Sequence, residues 1–145
     1  MATVNLTSGE LGRSNAGTRP VFMAEQRIDF GRNNAAASDV VQALNVYAGW
    51  FVHAVAVDVE VAEGGTGTAT VGDGTTANGF IASVNLNATG ITKNTLKTDG
   101  TSAAVGYTAG KLYTADDTID LVVSAALDKA VVVVRALVTD FGTSV

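Results

Sequence analysis

The sequence predicts an all-β fold: a β-sandwich, of which the jelly roll is one form, preceded by an extended N-terminal arm. Three observations carry this. Residues 50–61 alternate strictly, with Phe51, His53, Val55, Val57, Val59 and Val61 on one face and Trp50, Val52, Ala54, Ala56, Asp58 and Glu60 on the other. Residues 131–138 are apolar on both faces apart from Arg135, as a central strand covered on both sides requires. Between such runs, Gly, Asn and Asp clusters recur at intervals that leave room for about six to eight strands.

Taken in order, residues 1–20 hold Ser8, Gly9, Gly12, Ser14, Asn15, Gly17 and Thr18 with little apolar periodicity, and Pro20 closes them. They are expected to form the arm, and residues 21–145 the sandwich domain. Val21–Phe30 is the first expected strand, and residues 31–38 a loop. Ser38-Asp39 is expected to cap one short helical turn over Val40–Leu44. The long strand of residues 50–61 follows, and Gly64-Gly65 can turn it so that Thr66–Val71 pairs back on it. Gly72–Thr75 and Asn78-Gly79 are turns. Phe80–Leu86 alternates as a further strand.

Residues 87–110 are rich in Thr, Asn, Gly and Ala, with Ile91, Leu96 and Val105 as anchors. A long surface loop is expected there, with one short strand near Val105–Tyr107. Thr118–Ala126 points Ile119, Leu121, Val123 and Ala125 inward and Thr118, Asp120, Val122 and Ser124 outward. Leu127–Ala130 turns the chain into the central strand.

Composition narrows the function. Hydrophobic residues make up 47% and charged residues 16% of the 145-residue chain, against about 25% charged in ordinary domains. So little charge suits a surface partly covered by other subunits. The net charge is −5 and unevenly spread: Arg13, Arg19, Arg27 and Arg32 face only three acids in residues 1–32, leaving five basic and eleven acidic residues of the nine and fourteen beyond. An acidic body excludes general nucleic-acid binding, which needs Lys and Arg along phosphates. The four arginines are the candidate contacts to an acidic protein surface. With no cysteine, thiolate chemistry and disulfides are excluded. No secretory signal is visible, and no apolar run approaches a membrane span.

Catalytic templates fail on residue type or spacing. The single histidine, His53, sits mid-strand rather than beside a serine at a loop edge, so a packing or subunit-contact role is expected. Gly72-Asp73-Gly74-Thr75 resembles part of a calcium loop but lacks the remaining ligands, and Asp116, Asp117 and Asp120 read as a solvated strand entry. No metal and no cofactor is expected. Asp58, Glu60 and Glu63 lie along one strand end without the cleft or the stacking ring that glycoside hydrolysis needs. Gly64–Gly67 neither precedes a helix nor carries a phosphate-binding lysine. The expectation is a protein that is not an enzyme.

The order Arg19-Pro20-Val21, Asp39–Val46 leading to Gly49, Val55–Val61 before Gly64–Gly67, and Val71–Thr75 before Asn78-Gly79-Phe80 resembles capsid decoration or cement proteins of tailed bacteriophages. The resemblance covers residues 38–86 and, more loosely, the Val-rich C-terminal hairpin. It implies a homotrimer, made in the host cytoplasm, that sits on the outer capsid surface of the virion, binds the major capsid protein and stabilises the shell. A tail- or fibre-associated virion protein is the alternative within that class. Outside it stands a carbohydrate-binding sandwich, with loops near Asp73, Asn78 and Asp99 and with Tyr47, Trp50, Tyr107 and Tyr113 as stacking platforms.

Overall fold

A computed structural model describes residues 21–94, 106–107 and 109–142. Nine strands and no helix are found among the described residues: β1 (Val21–Asp29), β2 (Val40–Val46), β3 (Trp50–Val61), β4 (Thr68–Gly72), β5 (Ile81–Asn85), β6 (Gly90–Lys93), β7 (Lys111–Leu112), β8 (Asp117–Val123) and β9 (Val131–Asp140). The expected arm, and with it Arg13 and Arg19, lies outside the described residues, as do Leu96, Asp99 and Val105.

The strands form two antiparallel sheets. The front sheet runs β1-β9-β3-β6, with β7 pairing beside β6 on the same strand, and the back sheet runs β2-β8-β4-β5. The protein is a β-sandwich. Its core interleaves Val52, Val55, Val57, Val132, Val134, Ala136 and Val138 from the front with Val46, Val71, Val84, Ile119 and Leu121 from the back, each at most 1% exposed, and Phe30, Phe80, Leu86 and Leu127 close its ends. Each such Val, Leu, Ile or Phe contributes about 1.5–3 kcal/mol by leaving water. β9 is the central strand that the apolar run predicts: it pairs with β1 on one side and β3 on the other. Even Val131 and Val133, on its outward side, are buried.

Several expectations are corrected. Residues 40–44 are strand, since Asp39 does not cap forwards: its carboxylate accepts the Ala36 N–H at 2.7 Å, and Asp39 O accepts the Val123 N–H at 3.1 Å. That ladder, extended through the β-branched Val40 and Val41, outweighs a helix too short to pass nucleation. Thr66–Val71 does not pair with β3. Both sides of β3 are taken, by β9 and by β6, so the chain turns at Gly64 (φ 82°) and crosses to the back sheet.

The third correction concerns β3 itself. It bulges at His53 and again at Glu60, where its register to β9 slips by one residue. Because one extra residue exchanges the faces, Val52 is buried beside Val55, Val57 and Val59, while Phe51, His53 and Val61 leave the core face. The fourth is Asp120, expected outward and solvated but only 5% exposed. Among the described residues of the expected loop, Gly106-Tyr107, where a short strand is expected, is a turn, and the short edge strand β6 lies where none is expected.

Candidate interaction surface

The outward face of the front sheet carries an apolar patch built row by row from the strand register. One row sets Met23 of β1 beside Leu137 of β9 and Ala54 of β3; the next sets Val21, Thr139, Phe51 and Leu112 side by side across β1, β9, β3 and β7. Val21 is 57%, Met23 54%, Leu112 40% and Leu137 36% exposed. The bulge at His53 makes this patch, since without it Phe51 would point into the core. The His53 ring packs edge-on against Phe51, centroids 4.8 Å apart, and its Nε2 lies 2.7 Å from Thr139 Oγ1. His53 is therefore a half-buried support of the patch rather than a core residue.

The patch ends at charged rows. Arg135 Nε donates to Glu25 at 2.6 Å and its Nη1 to Asp58 at 3.3 Å, while Arg27 Nε donates to Glu60 at 2.9 Å. Asp58 and Glu60, the carboxylates weighed for catalysis, are thus each bound to an arginine. Glu63 has a third task. Its carboxylate accepts the N–H groups of Asp128, Lys129 and Ala130 at 3.0, 3.0 and 2.7 Å, fixing the turn into β9. Partial desolvation pushes its pKa up, but those backbone donors outweigh this and hold it below the ordinary range.

At the opposite end Asp73 is the hub of a network that sequence reasoning misses. Its Oδ1 accepts the Thr75 and Thr76 N–H groups at 3.0 and 2.9 Å and the Tyr107 hydroxyl at 3.0 Å. Its Oδ2 accepts Lys111 Nζ at 2.5 Å and the Tyr113 hydroxyl at 2.9 Å. Burial alone would raise the Asp73 pKa; Lys111, the Thr76 N–H and the two phenols reverse the shift and hold it low. The carboxylate's contribution is therefore present at neutral pH and is lost as pH falls through that lowered value. The partners come from far along the chain, and only the Asp-Gly-Thr turn is a local signal. In this structure the loop is a structural tie, both carboxylate oxygens of Asp73 being taken up by protein donors. Tyr113 is 3% exposed, and Tyr107 packs edge-on against Phe80 at 5.0 Å with Lys111 Nζ 4.4 Å from its centroid, so neither is an open stacking platform.

The outward face of the back sheet differs. Its rows are Val40, Val122 and Thr70, then Gln42, Asp120 and Gly72. Burial raises the Asp120 pKa, and Asp117 and Asp73 nearby add to the rise against a 2.6 Å hydrogen bond donated by the Thr118 hydroxyl. Asp116 accepts the Ala48 N–H at 3.0 Å, so the acids around β8 have separate tasks. Among the described residues no group of three His, Asp or Glu is placed to hold a metal ion.

This arrangement of strands has counterparts of known structure. A chain of the acid-stable capsid structure of Helicobacter pylori bacteriophage KHP30 superposes with a TM-score of 0.61 at 17% identity, covering 86% of this chain and 92% of that one. A chain of the Ralstonia phage GP4 capsid gives 0.60 at 14% identity, with 88% and 89% covered. A chain of the cyanophage Pam1 capsid asymmetric unit gives 0.58 at 14%, with 83% and 85% covered. The fold is one found in phage capsids. No protein-family model and no curated protein matches the sequence.

Of the four arginines singled out, the described residues hold two. Arg27 stands on the outward face of β1, bound to Glu60, and Arg32 is in the turn after β1, its side chain 85% exposed and 3.5 Å from Asp29. The apolar patch at the other end of β1 is the part of this surface that the sequence does not show.

Proposed function

We propose that this protein is a non-enzymatic structural protein of a phage virion: a capsid decoration, or cement, protein that assembles as a homotrimer on the outer surface of the shell and stabilises it by binding the major capsid protein. The observation that carries the reading is the extent of the fold likeness. It spans 85–92% of each neighbouring capsid chain, so the neighbours are small chains of this same architecture. The alternation of strands between sheets, β1, β9, β3 and β6 in one and β2, β8, β4 and β5 in the other, supports the jelly-roll form of the sandwich.

The patch of Val21, Met23, Leu112 and Leu137 supplies apolar contact area, and Arg27 and Arg32, towards and beyond the far end of β1, with Arg13 and Arg19 on the preceding arm, supply charge that meets acidic groups of the shell. The carboxylates weighed as catalytic groups hold turns and ion pairs instead, which supports a role without turnover.

The test is native mass spectrometry followed by co-sedimentation with purified shells. A mass of three times 14.7 kDa or a multiple of it, and saturable shell binding, are expected, and deletion of residues 1–19 weakens that binding while the circular dichroism of the sandwich persists. A monomer that leaves shells unoccupied overturns the reading.

A further inference from the structure

The sheet edges of the sandwich are not alike. β6 is four residues long and β7 two, β2 is bulged between Gln42 and Leu44, and the β4–β5 ladder is bulged between Ala69 and Val71. Short or bulged edges resist pairing with other chains. β1 has none of these defences. It keeps unbroken register with β9 from Val21 opposite Thr139 to Asp29 opposite Val131, and it contains no Pro, no Lys and no bulge.

The direction of its open side follows from the ladder. The Phe30 N–H donates to Ala130 O at 2.9 Å, so even-numbered residues of β1 turn their backbone groups towards β9 and Met23, Glu25 and Arg27 turn theirs outward. In agreement, the Gln26 side-chain amide reaches round to Arg27 O at 3.1 Å. The charges on β1 do not guard this edge either, since Glu25 and Arg27 are bound to Arg135 and Glu60.

We infer that β1 is a docking strand for a second copy of this chain, the two β1 strands pairing antiparallel about a twofold axis at Gln26. Charge complementarity and ladder length together select that register, since an axis at Ile28 also sets Arg27 opposite the partner's Asp29 but pairs only residues 27–29 of the strand. Centred on Gln26, Glu25 stands opposite the partner's Arg27, and Arg27 opposite the partner's Glu25, on the outward face and at positions whose backbone groups face each other. Centred on Glu25 or Arg27, the axis would set like charges opposite, which destabilises a strand pair. The chosen register also prolongs the existing row of alternating sign: Asp58, Arg135 and Glu25 of one copy continue into Arg27 and Glu60 of the other.

On the inward side, Ala24 meets the partner's Ile28. The added strand covers the mouth of a cleft of about 410 Å³ between the β1 and β2 edges, where Ile28, Val41 and Leu44 are the apolar lining. The contact is separate from the proposed threefold one and holds whether or not the protein sits on a capsid.

The chain's lack of cysteine makes a clean test. Gln26 meets its own symmetry mate at a non-hydrogen-bonded position, where Cα atoms lie about 4.5 Å apart, within disulfide reach. Under mild oxidation Gln26→Cys is expected to give a covalent dimer, and Ser83→Cys, on an exposed position of β5, only background. In sedimentation velocity, Glu25→Arg or Arg27→Glu alone should weaken the contact roughly tenfold, because two symmetry-related pairs change at once, and the double swap should restore it. Circular dichroism confirms that each variant is folded. Cross-linking of Gln26→Cys no greater than that of Ser83→Cys, or a double swap no stronger than the single variants, overturns the inference.

Discussion

The two sheets present equally apolar faces to each other and different chemistry to the outside. Outward, the front sheet shows Val21, Met23, Leu112 and Leu137 beside three arginine–carboxylate contacts. The back sheet shows Thr70, Gln42 and Val122, and tucks its Asp120 away at 5% exposure. Folding requires only the inner faces to be alike. The outer difference is therefore one of extent: the front has four exposed apolar side chains in adjoining rows framed by charges already matched, as a contact surface does, and the back has one exposed valine, Val40 at 58%, at its edge among half-buried and polar groups.

The sharpest way to break this contrast is a charge placed on each outer face. Val133, outward on β9 but 3% exposed, lies in register with Asp58 and Arg27. Val133→Asp should cost about 4 kcal/mol or more in urea unfolding, because it buries a carboxylate beside Asp58 while its other neighbour, Arg27, is already bound to Glu60. Val122→Asp on the half-buried centre of the back face should cost about 1–2 kcal/mol. Equal losses would show that the two faces are covered alike.

A smaller effect on the fold, but a decisive one on assembly, is expected from Met23→Lys combined with Leu137→Lys. Both side chains are exposed, so stability should stay within about 1 kcal/mol, while shell occupancy falls at least about tenfold. Ser83→Lys on the back sheet should leave occupancy unchanged. Occupancy that falls equally with Ser83→Lys would place the contact elsewhere.

The smallest expected change belongs to Asp120. Its pKa is raised by burial, so the folded protein holds that proton more firmly than the unfolded chain does. Ionised Asp120 therefore weakens the fold above its raised pKa, and the penalty disappears at pH values below the unfolded one. Asp120→Asn should raise Tm modestly at pH 7, and the gain should vanish on acidification. A thermal shift independent of pH would show that Asp120 acts through its hydrogen bond to Thr118 alone.

Much of the strand inventory was legible because alternation is a local property. β1, β5 and β9 lie within a residue or two of their expected bounds and β3 over Trp50–Val61, while β8 ends at Val123, three residues before its expected end. β6 was illegible for a physical reason: it is a four-residue edge strand whose Ile91 is 67% exposed, so it has no inward face to read. β2 was read as a helical turn because Ser-Asp before an apolar run is a capping signal whichever way the carboxylate turns. Of the candidate surface, Arg27 and Arg32 were named from charge, while Met23, Leu112 and Leu137 were not. Their exposure follows from register with strands far along the chain.

By itself, the sequence determined an all-β chain with a Val-rich central strand, since a period of two and a doubly apolar run are written in neighbouring residues. It also excluded thiolate chemistry, since the chain has no cysteine. Only the tertiary structure decided which sheet each strand joins, because a strand leaving Gly64 pairs wherever an edge is open, and β3 has none left. It likewise decided the bulge at His53, which turns Phe51 outward and makes the patch, and the gathering of Tyr107, Lys111 and Tyr113 around Asp73. Those outcomes depend on partners brought together in space, and a local pattern carries no record of them.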